Sequence, residues 1–305
     1  MKASAVADFF AVVELRTKIV SVSTLSLATA YACRRTGFPA PIPFLLMWAA
    51  VLAVDMGTTA FNNYFDYWRG TDHYLSVDEA DKVLVRKGVP PGFAFWSAFW
   101  CFASAVVLGL ALAAAGDWWV LPVGALGMAV GFLYTGGPFP ISRGPLGELF
   151  AGGFLGFTLF VVACGVWSTP VDPRTAAAAL PSFFWIASIL TVNNTCDIEG
   201  DRAVGRKTLS VLLGSSGGRF AVVGFGLLGQ LAAIALALEG VLPRAAAFSL
   251  AVALVPIAAL WRAMVRDGFS HATKGRNMKR ILACVILFTA ASLAGYLPGL
   301  FGLRP

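Results

Sequence analysis

Long apolar runs recur along the whole 305-residue chain, and they restrict its fold more than any other feature. A run of about 20 apolar residues forms a helix long enough to cross the roughly 30 Å hydrocarbon core of a bilayer. Solid blocks of Leu, Ala, Val and Phe replace the two-residue alternation that is typical of membrane β-strands. The sequence therefore predicts an all-α integral membrane protein, a bundle of about nine transmembrane helices. The runs lie at about residues 18–33, 42–64, 92–115, 118–136, 146–168, 175–196, 218–240, 244–265 and 279–300.

The net charge of +7 could indicate a nucleic-acid partner. The distribution of the basic residues among the loops indicates a different reason for the charge. Lys and Arg in alternate loops, counted from the N-terminus, total 18, and those in the opposite set of loops total 5. Such an asymmetry follows the positive-inside rule, with the N-terminus in the cytoplasm and the C-terminus outside. Membrane topology thus explains the basic charge, and the predicted partner is the lipid bilayer rather than nucleic acid.

Two polar segments of similar sequence each follow an apolar run. The first is NNYFDYWRGTD, residues 62–72, and the second is NNTCDIEGDR, residues 193–202. Both begin N-N-x-x-D, and both end a helix that is predicted to reach the cytoplasmic side. This internal similarity favours one domain over residues 1–305, built of two related halves at about 15–136 and 146–300, with a shared site between them.

Helical spacing groups the acids of these segments. If its helix continues, the second segment stacks Asn193, Asp197 and Asp201 on one face, at i, i+4 and i+8. In the first segment, Asp72 joins Asn62 and Asp66 if the helix breaks near Gly70. Stacked carboxylates repel one another unless a cation lies among them, and oxygen ligands without His or Cys favour Mg²⁺. The predicted magnesium ligands are Asn62, Asp66, Asp72, Asn193, Asp197 and Asp201.

Basic residues surround both acidic segments on the predicted cytoplasmic side. Because Mg²⁺ completes its shell with water and substrate phosphates, acids and bases together indicate a phosphorylated substrate. The basic residues considered for phosphate binding are Arg16, Lys18, Arg69, Lys82, Arg86, Lys87, Arg202, Arg206 and Lys207, and the diphosphate is assigned to Arg16, Lys18, Arg69, Arg202 and Lys207.

The two acidic segments resemble the aspartate-rich motifs of the UbiA-type membrane prenyltransferases. The central YTGGPFPISRGPLGELF, Tyr134 to Phe150, resembles the branch that prenylates 1,4-dihydroxy-2-naphthoate in menaquinone synthesis. The resemblance implies nine helices around a central cavity and Mg²⁺-dependent transfer of a polyprenyl chain from its diphosphate to an aromatic acceptor. With this acceptor, the family's reaction includes decarboxylation and gives demethylmenaquinone.

The resemblance also implies roles for individual residues. Arg16 and Lys18 match a basic pair in the first helix, Lys207 matches a basic position after the second motif, and Tyr134 and Arg143 match positions near the reacting ends, at the acceptor. Catalysis is assigned to the four motif aspartates above and to Asp55. The family further implies a cytoplasmic (inner) membrane location with the active site facing the cytoplasm. One departure is Asn63, where many relatives carry aspartate.

Asp55 is the acid that lies well inside a predicted span. A charge at the bilayer centre costs about 2.5–3.5 kcal/mol on insertion scales, so such residues usually face a cavity. Its spacing places it on the face of Asn62 and Asp66, which suggests that it acts on the acceptor as a base or hydrogen-bond partner. The alternative is a protonated Asp55 in a helix–helix hydrogen bond. Glu148, at the start of a helix, is equally open, because the helix dipole alone favours an acid there.

Other functions stay open from the sequence. The acceptor of the same superfamily could be 4-hydroxybenzoate, homogentisate or a glycerol-phosphate lipid. A secondary transporter would also show repeats and intramembrane acids, although its site lies at the midplane in broken helices. A CDP-alcohol phosphotransferase would need its acids in one continuous segment, which this sequence lacks.

Overall fold

The computed structural model describes residues 5–70, 83–116 and 118–300, without the side chains of residues 299 and 300. This described part of the chain is helical and contains no strand. Short 3₁₀ turns at Leu15–Lys18 and Ile141–Arg143 join some of the helices. The α-helices are α1 Ala5–Val12, α2 Ile19–Thr36, α3 Pro41–Trp68, α4 Val83–Arg86, α5 Pro91–Ala114, α6 Val120–Thr135, α7 Gly147–Val166, α8 Pro173–Cys196, α9 Ile198–Ala203, α10 Leu209–Leu238, α11 Arg244–Asp267, α12 His271–Ala294 and α13 Leu297–Leu300.

Seven of the described helices are long and apolar enough to cross a membrane: α3, α5, α7, α8, α10, α11 and α12. A shorter apolar helix, α6, has 16 residues, and α2 has 18 residues with several serines and threonines. These nine helices correspond to the nine predicted apolar runs. The predicted all-α membrane fold is therefore confirmed.

Two predicted helix starts are wrong by about two turns. The apolar runs place them at residues 218 and 279, whereas α10 begins at Leu209 and α12 begins at His271. The first turns of α10 precede a kink at Gly214, where φ is +70°, and those of α12 read HATKGRNMKR. A search for apolar residues misses such polar turns, although the Thr273 hydroxyl accepts the Ser270 N–H at 3.0 Å and fixes the start of α12.

Residues 1–18, 42–147 and 199–208 form the first of two compact units. Its core joins the end of α1 to α3 and α5, and an aromatic cluster lies at its centre. The Phe61 ring contacts Phe102 and Phe132 edge-on, each with ring centroids 5.2 Å apart. Such edge-to-face pairs add about 0.5–1.5 kcal/mol each beyond the burial of apolar area. This packing fixes the polar end of α3 relative to α6.

The second unit comprises residues 19–41, 148–198 and 209–305. Its central helix is α8, which is more buried than any other described span. Trp185 of α8 stacks on Trp261 of α11 with ring centroids 5.9 Å apart and lies 5.4 Å from Phe288 of α12. These rings fix the helix that carries the second acidic segment. The division into halves at about 15–136 and 146–300 stays a prediction.

Candidate functional site

The first acidic segment lies on the last two turns of α3, in the first unit. Asn62 and Asp66 are both half-buried, one turn apart on the same face. The Thr135 hydroxyl donates to Asn62 Oδ1 at 2.7 Å and holds this amide toward α6. The chain leaves the helix at Gly70, whose φ is +69°, as the sequence predicts. Asp72 lies outside the described residues.

Arg69 ties the end of α3 to the turn that follows α6. Its guanidinium donates to the carbonyl oxygen of Thr135 and, at 2.5 Å, to that of Gly137, and it lies over the Phe65 ring. Burial lowers the pKa of Arg69, Arg143 lowers it further, and Asp66 opposes both effects. Arg69 therefore interacts electrostatically with Arg143 and with Asp66.

The loop at residues 199–208 packs on the central segment of the first unit. Arg143 donates to the Val204 carbonyl oxygen, and its own carbonyl oxygen accepts the Lys207 N–H at 2.8 Å. Arg206 donates to the Ser142 carbonyl oxygen at 2.8 Å. Thus Arg143 and Lys207, both assigned to substrate from the sequence, lie together.

Asp201 makes hydrogen bonds within this segment. Its carboxylate is fully buried, and it accepts Arg206 Nη1 at 2.9 Å on Oδ1 and the Thr208 hydroxyl at 3.4 Å on Oδ2. The backbone N–H of Arg206 also donates to the Asp201 carbonyl oxygen at 2.8 Å. In this structure Asp201 thus organises the loop that carries Lys207.

Lys18 and Asp55 form a buried ion pair in the first unit. The Lys18 ammonium lies 2.5 Å from Asp55 Oδ1 and 2.7 Å from the Thr59 hydroxyl, and it also reaches the Asp55 carbonyl oxygen. The two charged side chains are 5% and 12% exposed. The sequence assigns Lys18 to diphosphate and Asp55 to the acceptor, and it gives no sign of this pairing, which joins residues 37 positions apart.

The second acidic segment lies at the end of α8, in the second unit. The helix ends at Cys196, and Asp197 follows it with φ −105° and ψ +10°. The expectation that this helix continues through the aspartates is therefore wrong, and the predicted stripe from half-buried Asn193 is interrupted at Asp197. Asp197 is only 4% exposed.

Two residues of α12 approach the Asp197 carboxylate. Lys274 Nζ donates to Oδ2 at 2.6 Å, and His271 Nδ1 lies 3.6 Å from Oδ1, beyond hydrogen-bond distance. Neither residue was assigned from the sequence. The signal is weak, because both lie in the polar first turn of α12, among basic residues that the positive-inside rule alone explains.

Glu148 forms another buried polar contact in the second unit. Asn194, next to the segment's first asparagine, donates to Glu148 Oε1 at 2.9 Å, and both side chains are buried. This contact joins the start of α7 to the end of α8, so the second asparagine of the segment has a structural partner.

The remaining predicted site residues differ in exposure. Arg16, Arg202 and Lys207 are exposed, and Tyr134 is half-buried on α6. Lys82 lies outside the described residues.

The oxygen ligands that are present fit a magnesium ion. Buried carboxylate oxygens require a donor or a cation, and Asp197 Oδ1 has no hydrogen-bond partner. Over the three described ranges, no group of three or more His, Cys, Asp and Glu side chains could enclose a metal. Magnesium usually takes one or two carboxylates and completes its shell with water and substrate phosphates.

Among relatives of known function, the chain resembles the 1,4-dihydroxy-2-naphthoate octaprenyltransferase of Bacillus subtilis (strain 168). The two sequences are 35% identical over 174 residues, which is 57% of this chain and 56% of that protein. The matched part thus spans just over half the length of that relative.

Solved structures show the same fold. A UbiA homologue from Aeropyrum pernix K1 superposes with a TM-score of 0.66 at 22% identity over 89% of this chain and 97% of its own. One from Archaeoglobus fulgidus, bound to DMAPP and Mg²⁺, gives 0.65 at 13% identity over 95% and 99%. The sequence model of the UbiA prenyltransferase family matches residues 22–281. With its acidic segments, helical fold and this match, the chain belongs to the UbiA prenyltransferase family.

Proposed function

We propose that the chain is a Mg²⁺-dependent prenyltransferase that moves a polyprenyl group from its diphosphate to 1,4-dihydroxy-2-naphthoate. The acceptor assignment rests on the 35% identity with the Bacillus subtilis relative and on the resemblance of residues 134–150. The donor assignment is supported by an Archaeoglobus fulgidus homologue that binds DMAPP and Mg²⁺.

The observation that carries the reaction type is the combination of acids and cations at each acidic segment. Arg69 feels the charges of both Asp66 and Arg143, and buried Asp197 accepts Lys274 and keeps one oxygen without a hydrogen bond. Each segment would hold magnesium through its own oxygen ligands: Asp66 with Asn62 and Asp72 in the first segment, and Asp197 with Asn193 in the second. Bound magnesium would neutralise charge on the departing diphosphate.

The side chains of the protein supply the remaining stabilisation of the departing diphosphate. Exposed Arg16, Arg202 and Lys207 bind phosphate oxygens and favour departure of the diphosphate. Asp201 contributes through Arg206, because their ion pair positions the loop that carries Lys207. Apolar helices exclude water, which would otherwise quench the allylic carbocation.

The acceptor step balances without an oxidant. The ring carbon that bears the carboxylate attacks carbon 1 of the prenyl group, the C–O bond to diphosphate breaks, and CO₂ leaves with restoration of the aromatic ring. The product is the reduced, dihydroxy form of demethylmenaquinone. Tyr134 and Arg143 lie in the segment proposed to contact the naphthoate, and Arg143 suits its carboxylate by charge. We place the protein in the cytoplasmic membrane with this site facing the cytoplasm.

Purified protein supplied with a polyprenyl diphosphate tests the proposal. The assay compares 1,4-dihydroxy-2-naphthoate, 4-hydroxybenzoate, homogentisate and glycerol phosphate, each with Mg²⁺ and with EDTA. We expect Mg²⁺-dependent prenylation and release of CO₂ with the naphthoate alone. Transfer to another acceptor would reassign the substrate, and no transfer to any acceptor would favour a transporter instead.

Asp197→Asn and Asp66→Asn test the acidic segments in the same assay, and Glu199→Gln is the matched control. Glu199 is exposed, two residues from Asp197. We expect kcat/KM to fall at least about a hundredfold in each aspartate variant, as on loss of one strong transition-state electrostatic contact, and to stay near wild type in the control.

A further inference from the structure

Lys274 lies at a position where the helix dipole disfavours a cation, and its ammonium contacts Asp197. It lies in the first turn of α12, and this turn contains no acidic residue. A helix N-terminus carries partial positive charge, so a cation there is disfavoured. Its side chain is also only 12% exposed. The 2.6 Å bond to Asp197 Oδ2 offsets this unfavourable position.

The same contact conflicts with the proposed use of Asp197. A lysine ammonium beside the carboxylate repels any divalent cation that binds there. At the low effective dielectric found near protein sites, water only partly screens this repulsion. A bound diphosphate reverses the balance, because its negative charges attract both the ammonium and the metal.

We propose that Lys274 is a mobile counter-ion, which neutralises Asp197 in the substrate-free protein and moves to a phosphate oxygen when the diphosphate binds. This inference rests on the proposed function. Lysine suits the task because its ammonium is a point charge on a flexible four-carbon stem. The carboxylate that it leaves would then be available to hold magnesium.

One consequence is that the affinity for the divalent ion and the affinity for diphosphate depend on each other. Lys274 keeps the affinity for a divalent ion alone low and favours the ion that arrives with diphosphate. Removal of the lysine charge therefore has opposite effects on the two affinities. A lysine that served only to neutralise a buried carboxylate would affect thermal stability without this reversal.

Direct binding measurements test the proposal with Mn²⁺ as the probe. Electron paramagnetic resonance gives the Kd of Mn²⁺ alone, and calorimetry gives the Kd of inorganic pyrophosphate at saturating Mn²⁺. We expect Lys274→Met to bind Mn²⁺ about tenfold more tightly and pyrophosphate about tenfold more weakly than wild type, because the ammonium no longer repels the ion or attracts the phosphate. Lys274→Arg should keep both constants near wild type.

Two further variants complete the test. Lys279→Met removes an exposed lysine on the same helix and should change neither Kd. Lys274→Gln keeps a hydrogen-bond donor to Asp197 without the charge, and it should shift both constants in the same senses as Lys274→Met if the methionine variant does not fold. Unchanged constants, or constants that both weaken, would overturn the role of Lys274. Wild-type protein that binds neither probe would instead overturn the proposed function.

Discussion

At the scale of a single residue, the contacts of Asn63 explain why it departs from the family pattern. It is 5% exposed, and its amide nitrogen donates at 2.8 Å to the Val12 carbonyl oxygen and at 3.2 Å to Glu14 Oε1. An aspartate here would face two oxygen acceptors without a proton to donate. Asn63 thus stabilises the turn after α1, where Glu14 has a φ of +49°, and the missing carboxylate has a structural reason.

The ion pair of Lys18 and Asp55 leads to a prediction at the same scale. Removal of one partner leaves an uncompensated charge in a nearly dry site, which costs about 3–5 kcal/mol in comparable pairs. Lys18→Met and Asp55→Asn should therefore each destabilise the protein, and the double variant should be more stable than the sum of the single effects predicts. Thermal unfolding in detergent measures this double-mutant cycle.

Thr59→Val is the control for that cycle, because it removes only the neutral partner of Lys18. Its loss should be about 1 kcal/mol, the usual contribution of a neutral hydrogen bond. Strictly additive single effects would show that the pair contributes nothing. A higher KM for polyprenyl diphosphate in Lys18→Met than in Asp55→Asn would restore the diphosphate role that the sequence assigns to Lys18.

At the scale of elements, the contact of α7 with α8 depends on glycine, which has no side chain. Residues Gly152–Thr158 form a π-helical stretch within α7. A Cβ atom on Gly156 would lie 2.6 Å from the Phe183 backbone nitrogen and 2.7 Å from its Cα. Backbone atoms cannot move aside as a flexible side chain can. The glycine lets α7 approach α8, the helix that Asp197 follows.

Gly156→Ala should therefore destabilise the protein by at least about 1–3 kcal/mol, the cost of overpacking a dense core. The matched control is Gly153→Ala, in the same stretch, where an added Cβ would meet no atom within 4 Å. Helix propensity makes that change neutral to slightly stabilising. Yield and melting temperature in detergent compare the two variants, and equal stability would refute the close packing.

At the scale of the whole molecule, the sequence predicts the helices better than the site. Apolar runs specify spans directly, because each span must hide its backbone polar groups from lipid. The helix α8 ends just before Asp197. The contact of Asp197 with Lys274 depends on packing between residues that are 77 positions apart. Pairings such as Lys18 with Asp55 likewise arise only when the helices assemble. Residue types therefore indicate the chemistry, while tertiary contacts assign the partners.

The orientation of the molecule is the last prediction. The positive-inside rule places the N-terminus in the cytoplasm, so the turn after α2 lies outside and the loop before α5 lies inside. In a variant without its five native cysteines, Phe38→Cys and Lys87→Cys report these two positions, and both native side chains are exposed. A membrane-impermeant maleimide should label residue 38 in intact cells, and residue 87 only after permeabilisation.

Permeabilised cells are the control, because both cysteines should then react fully. Labelling of residue 87 but not residue 38 in intact cells would invert the topology. Asn62 and Asp66 lie on the turns of α3 that lead to residue 87's loop, so inversion would place this acidic segment on the outer face. A polyprenyl diphosphate supplied from the cytoplasm could not then reach it, because its charged head group does not cross the bilayer unaided. The labelling pattern therefore decides on which side of the membrane the proposed substrates must arrive.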